Sequence, residues 1–195
     1  MQEPYSYEKG MLIVSKKIEL LALDLVEKRL VTNQIVLSIG YDIEYITNPK
    51  IYNNYFGEET TDHYGRKVPK SVHGSINLKR CTSSTRIIRY AVIELYERIV
   101  DKNLLIRRVN IGATHIKSET DIEEQPEQLN LFKNYMEALK ETAEEQAALV
   151  RERKIQETVL SVHKKYGKNA LLKGMNLEQG ATTKERNNQI GGYKK

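Results

Sequence analysis

The chain has 195 residues, 39% of them hydrophobic, and its 31 Lys and Arg outweigh 26 Asp and Glu to give a net charge of +5, which suits one domain of ordinary size with a tail. A single cysteine, Cys81, excludes an intrachain disulfide and a multi-cysteine zinc cluster and fits a reducing cytoplasm. No uninterrupted apolar run approaches the roughly 20 residues of a membrane span, and the opening MQEPYSYEKG has neither the basic nor the apolar region of a secretory signal.

From Leu12 to Leu30, apolar residues recur at helical spacing (Ile18, Leu21, Ala22, Leu25, Val26), which predicts a helix with Ser15 as its N-cap. Gln34–Asp42 switches to a period of two. Ile35, Leu37, Ile39 and Tyr41 fall on one face, and Val36, Ser38 and Gly40 on the other, as in a half-buried strand. Residues 43–70, rich in Asn, Tyr, Asp, Gly and Pro, predict a long irregular connection. Val72–Lys79 alternates again, with Val72, Gly74, Ile76 and Leu78 opposite His73, Ser75, Asn77 and Lys79. Thr82–Val100 opens on capping residues and continues with the apolar stripe of a second helix (Ile87, Ile88, Ala91, Val92, Leu95, Tyr96, Ile99). Leu104–Ile116 is a third strand.

The expected fold is therefore α+β: a small antiparallel or mixed sheet with two helices on one face, occupying residues 1–117. A linker follows over 118–131, then a long charged helix over 132–166, and a basic, loosely ordered tail over 167–195. The long helix has only a weak apolar stripe (Tyr135, Leu139, Ala143, Ala147, Val150), which predicts a solvated or partner-bound helix. Charge is segregated along the chain. Residues 1–117 hold 18 Lys and Arg against 13 Asp and Glu, 118–162 hold 5 against 11, and 163–195 hold 8 against 2. A basic body, an acidic connector and a basic tail suit a polyanion touched at two places, although a solvated basic surface has the same composition.

Helices on one side leave the other face of the sheet open. Arg108, Asn110, Gly112 and Thr114 should lie there beside His73, Ser75, Asn77 and Lys79, a set of donors separated by small residues that suits a phosphate backbone. Lys79 and Arg80 precede the hydroxyls of Thr82, Ser83, Ser84 and Thr85 at a helix N-terminus, with Arg86 in its first turn; such a terminus attracts phosphate, or serves as an ordinary N-cap. In the linker, Gln128, Leu129, Asn130, Leu131 and Phe132 offer apolar anchors and an amide that both donates and accepts, or else mark the start of the long helix. His63, His73, His115 and His163 are scattered, and Asp42, Glu44, Glu58, Glu59 and Asp62 form no metal-binding pattern. No phosphate-cradling glycine loop or nucleophile–base pair appears, so the chain reads as a binder and no cofactor is expected in it.

The run DHYGRKVPKSVHGSINLKRCTSSTRII, then ELYERIVDKNLLIRRVNIGATHI, resembles the little-finger domain of Y-family translesion DNA polymerases of the UmuC/ImpB group from Gram-positive bacteria, phages and plasmids. QLNLF stands where that group carries its sliding-clamp peptide, and the tail GKNALLKGMNLEQGATTKERNNQIGGYKK is also similar, so the resemblance covers roughly residues 11–195. It implies contact with the DNA backbone through Lys79, Ser83, Ser84, Arg86, Arg108, Asn110 and Thr114, and with the clamp through residues 128–132. It also places the palm, fingers and thumb, with their acidic Mg²⁺ ligands, before residue 1, so no polymerase activity is expected of these residues alone. QEPYSY stands in place of the strand that usually opens the domain. Three readings follow: a C-terminal fragment or split-gene product of a translesion polymerase that supplies DNA grip and clamp tethering, the latter with a separately encoded catalytic half; a stand-alone regulator competing for clamp or DNA; and an unrelated basic interaction module.

Overall fold

The computed structural model describes residues 3–47, 57–121 and 135–171, with side chains in the last stretch from residue 143, and the backbone of Gln189–Ile190 and Tyr193–Lys194, which pair as a short antiparallel hairpin. Helix α1 (Tyr7–Glu27) leads into strand β1 (Leu30–Tyr41), a short helix α2 (Glu44–Thr47), the hairpin β2 (Glu59–Thr61) and β3 (Lys67–Pro69), and strand β4 (Val72–Thr82). Helix α3 (Thr85–Ile99), strand β5 (Ile106–Ser118), a 3-10 turn at Glu119–Asp121 and helix α4 (Tyr135–Tyr166) complete the order. Among the described residues no helix is long and apolar enough to cross a membrane.

The main sheet has the order β4–β1–β5 and is antiparallel throughout, so of the two arrangements the sequence left open it takes the antiparallel one. Ile35, Leu37 and Ile39 of β1 are fully buried beneath the two helices. Helix α1 contributes Val14, Ile18, Ala22 and Leu25 at spacings of three and four, and α3 contributes Ile88, Val92, Leu95 and Tyr96. Both helices thus lie on the same face. Gly74 gives α3 its close approach to β4: a Cβ there would sit 2.9 Å from Leu95 Cδ1. The Tyr96 hydroxyl donates to the Tyr7 carbonyl at 2.7 Å and ties the start of α1 to the end of α3. Burial pushes the Tyr96 phenol pKa far above its ordinary value, so it stays a donor. Tyr96→Phe is expected to cost about 1–2 kcal/mol, because the Tyr7 carbonyl would lose its buried donor; the shift of the denaturant midpoint measures it.

Three expectations change. Helix α1 begins at Tyr7 with Ser6 as N-cap, whose hydroxyl accepts from the Lys9 N–H, and Ser15 lies buried in mid-helix. The earlier start places Gly10 where it packs under Ile106 and Tyr96, contacts the periodicity from Leu12 onward could not show. Tyr5 forms one antiparallel rung with Ile106, with N–H···O distances of 2.8 and 2.7 Å, so the opening segment keeps a single bridge to the sheet edge. The 43–70 connection contains α2 and the β2–β3 hairpin; residues 48–56 of it lie outside the described set. The hairpin turn is built on Asp62, which accepts from the Tyr64 and Arg66 N–H groups and pairs with the Arg66 guanidinium at 2.7 Å. The Arg66 side chain holds the Asp62 carboxyl below its ordinary pKa, and Gly65 supplies the positive φ of 76°.

Candidate nucleic-acid interface

The three main strands contain no Asp or Glu, whereas Lys79, Arg80, Arg107, Arg108 and Lys117 all lie on them. With the core-facing residues turned to the helices, the opposite face is organised in rows by the register. Asn110 lies beside Ser38, which lies beside His73; Gly112 beside Val36 beside Ser75; Thr114 beside Gln34 beside Asn77. The last row is bonded across all three strands. Thr114 Oγ1 donates to Gln34 Oε1 at 2.7 Å, and Gln34 Nε2 donates to Asn77 Oδ1 at 2.8 Å. Arg108 stands at one end of this face, opposite Gly40, and Lys79 continues β4 past Asn77 at the other. Lys79, Arg108 and Asn110 are exposed, and a Cβ on Gly112 would meet nothing within 4 Å, so the surface is shallow and open.

The structure thus gathers Lys79, Arg108, Asn110 and Thr114 on one surface, as the alternation predicts. Gln34 and Ser38, in the central strand, join them. Neither is singled out by the sequence as a functional residue, although the β1 alternation already puts Ser38 on the free side.

The other predicted residues stand elsewhere. Ser83 and Ser84 are buried, and they form a seat for α4. The Glu152 carboxylate accepts from the Ser84 hydroxyl at 2.6 Å and from the Arg86 N–H at 2.9 Å. Gln156 Nε2 donates to the Ser83 carbonyl at 3.1 Å and to Thr85 Oγ1 at 3.0 Å. The Arg153 guanidinium reaches Ser83 Oγ at 3.2 Å while holding both oxygens of Glu119 at 2.6 and 3.1 Å. Arg80 pairs with Glu145 at 2.7 Å. Only one hydroxyl of the group, that of Ser84, caps α3, accepting from the Ile87 N–H. In this arrangement the seat that the sequence offered to phosphate is filled by side chains of the long helix. The side of α4 turned to the body mixes these polar groups with the half-buried Ala148, Leu149, Val159 and Leu160; Ala143, Ala147 and Val150, from the predicted apolar stripe, are exposed.

The carboxylates of the 43–70 region serve local structure. Asp42 caps α2 through the Glu44 N–H, Glu58 pairs with Lys70, and Glu59 pairs with Lys67 at 3.2 Å. Among the described residues no group of three or more His, Cys, Asp or Glu could hold a metal ion, and Cys81 is a free thiol. Gln128, Leu129, Asn130, Leu131 and Phe132 lie outside the described residues.

Comparison with known families gives one finding of substance. Residues 6–131 match the profile of the impB/mucB/samB family C-terminal domain, a span that runs from the N-cap of α1 through the main sheet into the linker. Comparison with curated proteins returns no match.

Proposed function

This chain belongs to the impB/mucB/samB family as its C-terminal domain, the C-terminal region of a UmuC-like Y-family translesion polymerase, and from that premise we propose that it grips the DNA backbone and tethers the polymerase to the bacterial sliding clamp. The observation that carries the DNA half is the carboxylate-free sheet face with Arg108, Asn110, Thr114 and Lys79 around the bonded row of Thr114, Gln34 and Asn77. Its cations and neutral donors fit a repeating phosphate and carry no groove-deep side chain to read bases. QLNLF, with three apolar anchors after a glutamine, supports the clamp half. The partners on this reading are duplex DNA, the clamp ring and the catalytic half of the polymerase, in the cytoplasm. Any Mg²⁺ chemistry belongs to that half.

The test is a salt titration. Lys79→Ala together with Arg108→Ala is expected to weaken duplex binding by a similar factor for unrelated sequences. It should also flatten the dependence of log affinity on log salt by about 1.8, roughly 0.9 for each phosphate no longer neutralised. An unchanged slope, or a weakening confined to one sequence, would remove the sheet face as a backbone grip.

A further inference from the structure

We propose that helix α4 is a phosphate mimic, an acidic strap that holds the N-terminal seat of α3 closed and that the nucleic-acid backbone displaces. The idea rests on the backbone-gripping reading above, and it concerns a different surface from the sheet face.

Two independent observations support it. The first is the chemistry of the seat. A hydroxyl and a backbone N–H at a helix start converge on one carboxylate, with Glu152 Oε2 at 2.6 Å from Ser84 Oγ and Oε1 at 2.9 Å from the Arg86 nitrogen. This is the donor set that a helix N-terminus offers to a phosphate oxygen. A second carboxylate, Glu145, sits on Arg80 at 2.7 Å, so two anions spaced along one helix face meet one cation and one helix N-terminus of the body. The intervals of 65 to 68 residues between partners make this a long-range docking, not a local cap.

The second observation is how loosely α4 is held. It meets the body through hydrogen bonds, partly exposed ion pairs and the half-buried Ala148, Leu149, Val159 and Leu160, and among its described side chains only the polar Gln156 is fully buried. A cleft of about 890 Å³ remains between helix and body, lined among others by Arg29, Thr82, Ser83, Glu119, Arg153 and Lys164. Interactions of this kind are screened by salt and solvent, whereas α1 and α3 are fixed by apolar burial. An element held in that way opens at little cost relative to the whole fold.

Once α4 lifts, Arg80, the Ser84 hydroxyl and the Arg86 N–H become available next to Lys79, at one end of the sheet face.

The experiment uses the full chain and a short blunt DNA duplex, with amide hydrogen exchange along residues 143–166 and a salt titration of affinity. Expected are a fall in protection of that helix on adding duplex, and a several-fold rise in low-salt affinity for Glu152→Gln beyond that for Glu144→Gln, which removes the same charge from the exposed side of the helix. The slope of log affinity against log salt should stay as in wild type for Glu152→Gln, because the strap is displaced in both bound states and the same phosphates are engaged. If duplex binds while helix protection holds or rises, and the two variants behave alike, the strap is refuted and the sheet-face reading stands. If neither wild type nor variant binds duplex at low salt, both readings fall.

Discussion

Alanine at Gln128, Leu129 and Phe132 together is expected to abolish binding to the sliding clamp while leaving duplex affinity as it was. Short extended peptides concentrate their affinity in a few buried anchors, each costing about 2 kcal/mol or more when truncated. Losing three of them removes upwards of about 4 kcal/mol even without additivity, or roughly a thousandfold in dissociation constant. Calorimetry against the purified ring measures the first effect, and fluorescence anisotropy with a labelled duplex the second. The two surfaces are separate in sequence, with the sheet face ending at Ser118 and the peptide beginning ten residues later. A variant that lost both partners would show that clamp and DNA are not held by separate modules.

The largest effect on folding is expected at Gly10, in the first turn of α1. A Cβ there would fall 2.4 Å from Ile106 Cδ1 and 2.6 Å from the Tyr96 hydroxyl, both on fully buried side chains. Neither neighbour can retreat without loss, because Ile106 also pairs with Tyr5 and the Tyr96 hydroxyl already donates to the Tyr7 carbonyl. Gly10→Val should therefore cost about 3–5 kcal/mol by overpacking and by breaking that hydrogen bond. In a domain of this size that lowers the thermal midpoint by roughly 10–20 °C. Gly112→Ala is the control: it sits on the open face with nothing nearby and should change stability by less than about 0.5 kcal/mol. Circular dichroism melts of the two variants decide the matter, and a Gly10→Val midpoint close to wild type would mean that α1 does not seat on Ile106 as described.

Both variants probe features whose origin in the sequence differs, and the difference explains what could be read in advance. The strands announce themselves by alternation: Ile35, Leu37 and Ile39 against Val36 and Ser38, and Val72 to Lys79 in the same manner. Burial on one face alone forces that pattern, so the open face can be inferred from what the helices leave over. The sheet residues of the candidate interface, Lys79, Arg108, Asn110 and Thr114, follow directly. The docking of α4 gives no such signal. It is made by Glu145, Glu152, Arg153 and Gln156 with partners dozens of residues away, and polar pairings of that kind have no period. The stripe of Ala143, Ala147 and Val150 points away from the body, and the side that docks carries Leu149, Val159 and Leu160 among its polar groups. The N-cap is misplaced for a related reason. Ser6 and Ser15 are equally good caps by chemistry, and only the tertiary packing of Tyr7 and Gly10 selects the first.

The row of Thr114, Gln34 and Asn77 has a direction. Each donor hands its hydrogen toward β4: the Gln34 oxygen accepts from one neighbour and its nitrogen donates to the other. Asn77 accepts one of these hydrogens through its oxygen and finishes the series with two amide hydrogens left over, which weights the β4 margin of the row toward donation. An electron-rich ligand suits that margin, where the orientation of neutral amides adds to the pull of Lys79 and Arg108.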